Sequence, residues 1–226
     1  MWVKICANTN LEDALLAAEA GADAVGFVFA PSPRRVKAED VARITQFLPR
    51  EIETIGVFVD AGFEQSARAV ESCSLSGIQL HYGVDAGVAA QLRTQFGDEL
   101  RILRVVHFGA DAASEIERLA HEMTQDAVLV DSRTATAVGG TGLAFDWKTA
   151  QEKIFTGEGA LKLIAAGGLN AENVAEAIRM LNPWGVDVAS GVEQSPGKKD
   201  PAKVRAFVQN ARTAKSSQKS EPIQLT

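Results

Sequence analysis

Cysteine is nearly absent from this chain: Cys6 and Cys73 are the only two in 226 residues. Two thiols build neither a disulfide framework nor a thiolate metal cluster, and their scarcity fits a reducing, cytoplasmic setting. No apolar stretch reaches the ~18 residues that a membrane-spanning helix needs, so no membrane partner is expected. The opening Met1-Trp-Val-Lys4 lacks a basic segment followed by an apolar one, so no secretory signal is expected. Basic blocks are missing too. Lys plus Arg number 23 against 29 Asp plus Glu, a net charge of -6. That balance argues against nucleic acid as a partner. No cluster of His, Cys, Asp and Glu shows metal-ligand spacing, so neither a metal nor any other cofactor is expected.

What is present is an ordinary globular composition, 46% hydrophobic and 23% charged. Short apolar runs begin near Val3, Ala24, Thr54, Gly77, Arg101, Ala127, Leu161 and Val186. Their spacing suits one strand plus one helix each. The runs are continuous rather than alternating, as in Val25-Gly-Phe-Val-Phe29, which is how strands buried on both faces read. Amphipathic stretches lie between them, among them Leu11 to Glu19, Asp40 to Leu48 and Ala171 to Leu181. The pattern predicts an α/β fold, a single (β/α)8 TIM barrel over residues 1–213. Asn10 and Asn170 are expected to cap the first and seventh helices, and Asp200 followed by Pro201 the last. Gly21 is expected just past the first helix. Residues 214–226 have too little apolar surface to offset ordering and read as a disordered tail. Oligomeric state is not readable; a monomer is the default, and a homodimer stays possible.

Two glycine turns near the C-terminal end point to the ligand. Leu163-Ile-Ala-Ala-Gly-Gly168 is an apolar run that stops at Gly167 and Gly168, and Val186-Asp-Val-Ala-Ser-Gly191 repeats the design. Strand, small-residue turn and helix N-terminus is how a barrel builds a phosphate site from its seventh and eighth strands. A phosphorylated small molecule is therefore the expected substrate. Cys6 ends the first apolar run and Asp131 the sixth, which puts both at the C-terminal rim. A thiol and a carboxyl facing one substrate can act as base and acid. Position alone leaves the alternative open, since Cys is often simply buried and Asp often caps a turn. Gly139-Gly-Thr-Gly142 is a glycine run that could close over a ligand or donate N–H groups to phosphate. Ser32-Pro-Arg-Arg35 supplies a guanidinium for an anion, or a solvated surface arginine. Asp187, inside the eighth strand, either faces the upper barrel or pairs with a cation such as Lys4, and is expected to support or orient. His81 ends the fourth strand and reads as a packed rim residue beside the substrate. Cys73 lies on the opposite rim, and His107 and His121 have no partner motif.

Taken together these residues resemble phosphoribosylanthranilate isomerase. The resemblance runs through Val3-Lys-Ile-Cys6, Asn10-Leu-Glu-Asp-Ala-Leu15, Gly21 to Phe29, Ser32 to Arg35, Ile78-Gln-Leu-His81, Val130-Asp-Ser132 and Gly139-Gly-Thr-Gly142 with Phe145-Asp-Trp147. It continues through Ala166 to Val174, Val186 to Glu193, and Pro196-Gly-Lys-Lys-Asp200. The resemblance implies an Amadori rearrangement of N-(5-phosphoribosyl)anthranilate to an open-chain 1-deoxyribulose 5-phosphate, in tryptophan biosynthesis. It implies Asp131 as general acid, Cys6 as general base and Arg35 as holder of the anthranilate carboxylate. It implies the backbone around Gly142, Gly167, Gly168, Ser190 and Gly191 as the phosphate cradle, with His81 and Asp187 nearby.

Unperturbed groups would serve this chemistry poorly. At pH 7 about one Asp in a thousand is protonated and about three thiols in a hundred are ionised. Burial is therefore expected to raise Asp131, and a cation to lower Cys6. Lys4, on the same side and two residues deeper, is the expected cation. Two departures from the family pattern stand out. Ala7 replaces a usual glycine, at a cost of about 1 kcal/mol if that backbone needs φ > 0. Tyr82 intervenes between His81 and Gly83. A non-catalytic phosphometabolite-binding barrel and the histidine-pathway sugar isomerase are the competing alternatives; Cys6 argues against the latter, whose first strand ends in a carboxylate.

Overall fold

The computed structural model describes residues 1–81, 86–131, 147–156 and 161–219. Eight parallel strands close into a barrel in sequence order, β1 pairing with β8. The strands are β1 (Trp2–Ile5), β2 (Ala24–Val28), β3 (Glu53–Phe58), β4 (Gly77–Leu80), β5 (Arg101–His107), β6 (Ala127–Asp131), β7 (Lys162–Ala166) and β8 (Gly185–Val188). Helices α1 (Leu11–Glu19), α2 (Ala38–Thr45), α3 (Phe63–Cys73), α4 (Ala86–Phe96), α5 (Ala112–Glu122), α6 (Trp147–Lys153), α7 (Val174–Leu181) and α8 (Pro201–Lys219) follow them in turn. This is the single (β/α)8 barrel expected. Each strand begins within one residue of its apolar run. α8 carries helical backbone on to Lys219.

Strand alternation sorts the core into two parts. One side of each strand packs on the helices. Val3, Ile5, Val25, Phe27, Val128 and Val130 lie there with α1, α7 and α8 residues such as Ala17, Ile178 and Phe207. The other side fills the barrel, where Trp2, Ala24, Ile55, Leu103, Val105, Ala127, Leu129, Ile164 and Ala166 form a separate cluster. Runs apolar on both faces are what these two environments require.

Caps fix where the helices start. The Asn10 side chain accepts from the Asp13 N–H at 2.8 Å, and Asp200 accepts from the N–H groups of Ala202 and Lys203. Asn170 differs from expectation. It accepts from Glu172 and Asn173 N–H, but these belong to a turn, and α7 begins only at Val174 with Asn173 at its cap. The eighth unit also departs from strand–turn–helix. After β8 come a single 3-10 turn, Ser190–Val192, and an antiparallel hairpin, β9 (Glu193–Ser195) with β10 (Lys198–Lys199), before α8. Among the described residues, no helix is long and apolar enough to cross a membrane.

Candidate active site

β1 brings Lys4 and Cys6 to the inside of the barrel, one above the other. Lys4 is fully buried. A buried ammonium needs a counter-charge and acceptors, and the strands on either side of the barrel supply them. Lys4 Nζ donates to Asp187 Oδ1 at 2.6 Å and to Gln79 Oε1 at 2.9 Å. Of the two alternatives for Asp187, the Lys4 pair is present, and a β1–β4–β8 polar bridge crosses the barrel just below the rim. Gly26 of β2 leaves room for both Lys4 and Cys6. A Cβ there would lie 2.7 Å from Cys6 Sγ and 3.0 Å from Lys4 Cε.

Cys6 itself is buried, and its backbone is held from β8 by a 2.7 Å bond from its N–H to the Val188 carbonyl. Its thiol does not behave as expected. Burial pushes it above the usual range; Lys4 pulls it down, Asp187 pushes it up again, and Lys199 pulls it down. The expected cation is present, but it is tied to a carboxylate and burial wins. The next residue, Ala7, sits at φ +62°. The chain turns there through the left-handed region that favours glycine, so the strained alternative is the one realised.

Asp131 ends β6 and is buried. Its Cα partner on β5 is His107, and the His107 ring lies 5.3 Å from that of His81, centroid to centroid. Three strand ends in a row therefore carry His81, His107 and Asp131 on the inner side of the sheet. His107 had no motif to announce it; the register supplies its neighbours.

The two turns expected to hold phosphate come together. Gly167 and Gly168 have φ of +81° and +64°, a consecutive left-handed pair that only glycine adopts without strain. Gly191 packs directly on this turn, where a Cβ would stand 1.9 Å from the Leu169 carbonyl oxygen. Ser190 is exposed beside it. On the β2–α2 segment Arg35 is exposed, and its N–H donates to the Ser32 carbonyl at 3.1 Å. Arg34, not singled out by the sequence, makes a two-pronged pair with Glu193, Nε to Oε1 at 2.8 Å and Nη2 to Oε2 at 2.7 Å. Glu193 in turn meets Lys199, whose Nζ donates to the Cys6 carbonyl at 2.5 Å. Lys199 lay within a family-like motif, but nothing in its type or spacing forecast a buried role.

Gly142, with the run Gly139–Gly142, and Tyr82 lie outside the described residues. Among those described, no three His, Cys, Asp or Glu side chains form a group that could hold a metal ion. A cavity of about 670 Å³ opens between Met1, Ile116, Phe155 and Trp184 and shares no residue with this rim.

Comparison with known proteins adds the family context. Residues 3–210 match the family described as N-(5'-phosphoribosyl)anthranilate isomerase. The chain is 42% identical over 221 residues to the N-(5'-phosphoribosyl)anthranilate isomerase of Pelobacter propionicus, covering 95% of this chain and 97% of that one. A crystal structure of a phosphoribosyl anthranilate isomerase in complex with reduced 1-(o-carboxyphenylamino)-1-deoxyribulose 5-phosphate superposes with a TM-score of 0.77 at 34% identity, over 94% of this chain and 99% of that one. A crystal structure of monomers generated from the dimeric phosphoribosylanthranilate isomerase of Thermotoga maritima matches with a TM-score of 0.77 at 34% identity, over 94% of this chain and 99% of that one.

Proposed function

Because this chain belongs to the N-(5'-phosphoribosyl)anthranilate isomerase family, and is thus an isomerase of tryptophan biosynthesis, we propose that it carries out the Amadori rearrangement with Asp131 as general acid and Cys6 as general base. One observation carries this reading. Cys6, just past β1, and Asp131, the last residue of β6, are buried at strand ends separated, on one arc, only by β7 and β8. Those are the strands whose turns offer Gly167, Gly168, Ser190 and Gly191. A phosphosugar anchored on that arc would have its ring between acid and base.

The steps follow from that placement. Asp131 donates a proton to the ribose ring oxygen; the C1–O bond breaks, and the anilino nitrogen lone pair forms the C=N bond of an open-chain Schiff base. Cys6 thiolate removes the C2 proton, and the C2–H electrons pass to C1=C2 as the C=N bond returns to a neutral amine. The resulting enolamine tautomerises to the 2-ketone. Proton transfers of this kind need the groups within hydrogen-bond reach rather than strongly bound. The glycine turns hold phosphate through backbone N–H groups, with Gly142 a further donor. Arg35 pairs the anthranilate carboxylate, for which a planar guanidinium is suited. His81 lies beside the substrate, and Asp187 orients Lys4 below it. No cofactor enters these steps. The enzyme acts in the cytoplasm on a diffusible phosphorylated metabolite, with no nucleic-acid partner, as a monomer unless the dimer of its Thermotoga relative extends to it.

The test is turnover of freshly generated phosphoribosylanthranilate, followed by loss of its fluorescence. Cys6→Ser and Asp131→Asn are each expected to lower kcat by about 10²- to 10⁴-fold. Full activity in either variant would remove that residue from its role.

A further inference from the structure

The reaction proposed above leaves one buried charge cluster without a task. Lys199, on β10, is 1% exposed. Its three ammonium protons have three acceptors: the Cys6 carbonyl at 2.5 Å, the Ala189 carbonyl at 3.2 Å and Glu193 Oε1 at 3.4 Å. Glu193 is equally occupied. It takes the Arg34 fork and, at 3.3 Å, the Gly197 N–H. β10 is itself anchored, since the Lys199 N–H donates to Asp13 Oδ2 at 3.0 Å and Thr9 Oγ1 donates to the Gly197 carbonyl at 2.6 Å.

We infer that Lys199 is a positioning residue for the reaction: it locks the strand end bearing Cys6 to the strand end leading into Ser190 and Gly191, and sets a positive charge beside both. This rests on Cys6 being the base. Two arguments lead there. The first is mechanical. Lys199 is the common donor to the carbonyl of Cys6 and to the carbonyl just before the phosphate turn. Through Glu193 and Arg34 the same ionic chain reaches the segment carrying Arg35. Base, phosphate cradle and carboxylate-binding loop are therefore held in register by one set of bonds, and misplacement of such groups is costly in rate.

The second argument is electrostatic. Lys4 and Asp187 form a pair that cancels. Around Lys199 stand Arg34 and Glu193, with the buried Asp13 carboxylate 3.0 Å from its backbone N–H. A buried ammonium favours whatever anions come next to it. The anions this site must accommodate are a thiolate at Cys6 and a phosphate beside Ala189. Lys199 pulls the thiol down against the effect of burial; burial holds Lys199 itself below its usual range, with Glu193 and then the thiolate pulling it back up.

Lys199→Met removes charge and clamp together, whereas Lys199→Gln keeps donors for the carbonyls and still folds if the apolar variant does not. Cys6 alkylation by iodoacetamide is followed against pH in the whole enzyme, with peptide mass mapping to separate Cys6 from Cys73. Both variants should move the Cys6 midpoint up by about one pH unit. The same variants should lose roughly ten- to a hundredfold in kcat/KM. A folded variant with an unmoved Cys6 midpoint overturns the role of Lys199. Wild-type turnover by Cys6→Ser would instead overturn the base assignment, whatever pH the thiol titrates at, so the two failures are separable.

Discussion

Ala7 shows how a single backbone angle enters the stability. Its φ of +62° costs an L-residue about 1–2 kcal/mol, and a glycine in its place would give back roughly 0.4–1 kcal/mol through the unfolded chain. The strain is the larger effect. Ala7→Gly should therefore raise stability by about 1 kcal/mol, read from the urea midpoint at constant slope. A less stable variant would mean that the buried methyl packs well enough to outweigh the strain. Cys6, directly before Ala7, carries the clearest correction at this scale. The expected cation stands two residues below it, yet the thiol is raised, because burial acts on the thiol directly while Lys4 is already committed to Asp187. That rise lowers the thiolate population at neutral pH.

Among the elements, the β7 and β8 turns behave as one object. Leu169 and Gly191 touch through their backbones, and no side-chain movement can make space for a Cβ 1.9 Å from a carbonyl oxygen. Gly191→Ala should force the turns apart, at about 1–3 kcal/mol of stability. It should also raise KM more than it lowers kcat, because the turn proposed to hold phosphate moves while Cys6 and Asp131 stay. Steady-state kinetics check this, and an unchanged KM would take the phosphate away from this turn. Strand positions were legible in the sequence because buried parallel strands are continuous apolar runs, and Gly167 and Gly168 because a left-handed turn has few other solutions. The β9–β10 hairpin was not legible. Glu193, Ser195, Lys198 and Lys199 are polar, and a two-residue strand paired only to its neighbour has no periodicity to detect. Arg34 and Arg35 could not be told apart by type; only the fold shows that Arg34 is taken by Glu193.

At the scale of the whole molecule, the barrel is joined where β1 meets β8. The Glu193 carboxylate, pushed up by burial, is held below the usual range by the Arg34 hydrogen bonds, by Lys199 and by the Gly197 N–H. A depressed carboxylate contributes stability above its unfolded value, near ~4.3, and loses it as pH falls through the folded value. Glu193→Gln should thus be less stable by about 3–5 kcal/mol at pH 7, where it removes the carboxylate that faces Arg34 and Lys199. The gap should narrow steadily below about pH 4. Denaturation at a series of pH values checks the sign; a gap that widens on acidification would contradict it. α8 supports the same seam. Arg212 reaches the Met1 carbonyl, the Gly21 carbonyl and Asp23. What holds Cys6 is accordingly distant in the chain: Lys199 acts on it across 193 positions, and Asp187 on Lys4 across 183. Local βα units can form in any order, but no partial chain ending before the hairpin contains the surroundings of its first strand. Cys6 precedes in the chain every one of these partners and is among the last residues to find its environment, so its surroundings belong to ring closure and to no smaller part of the sequence.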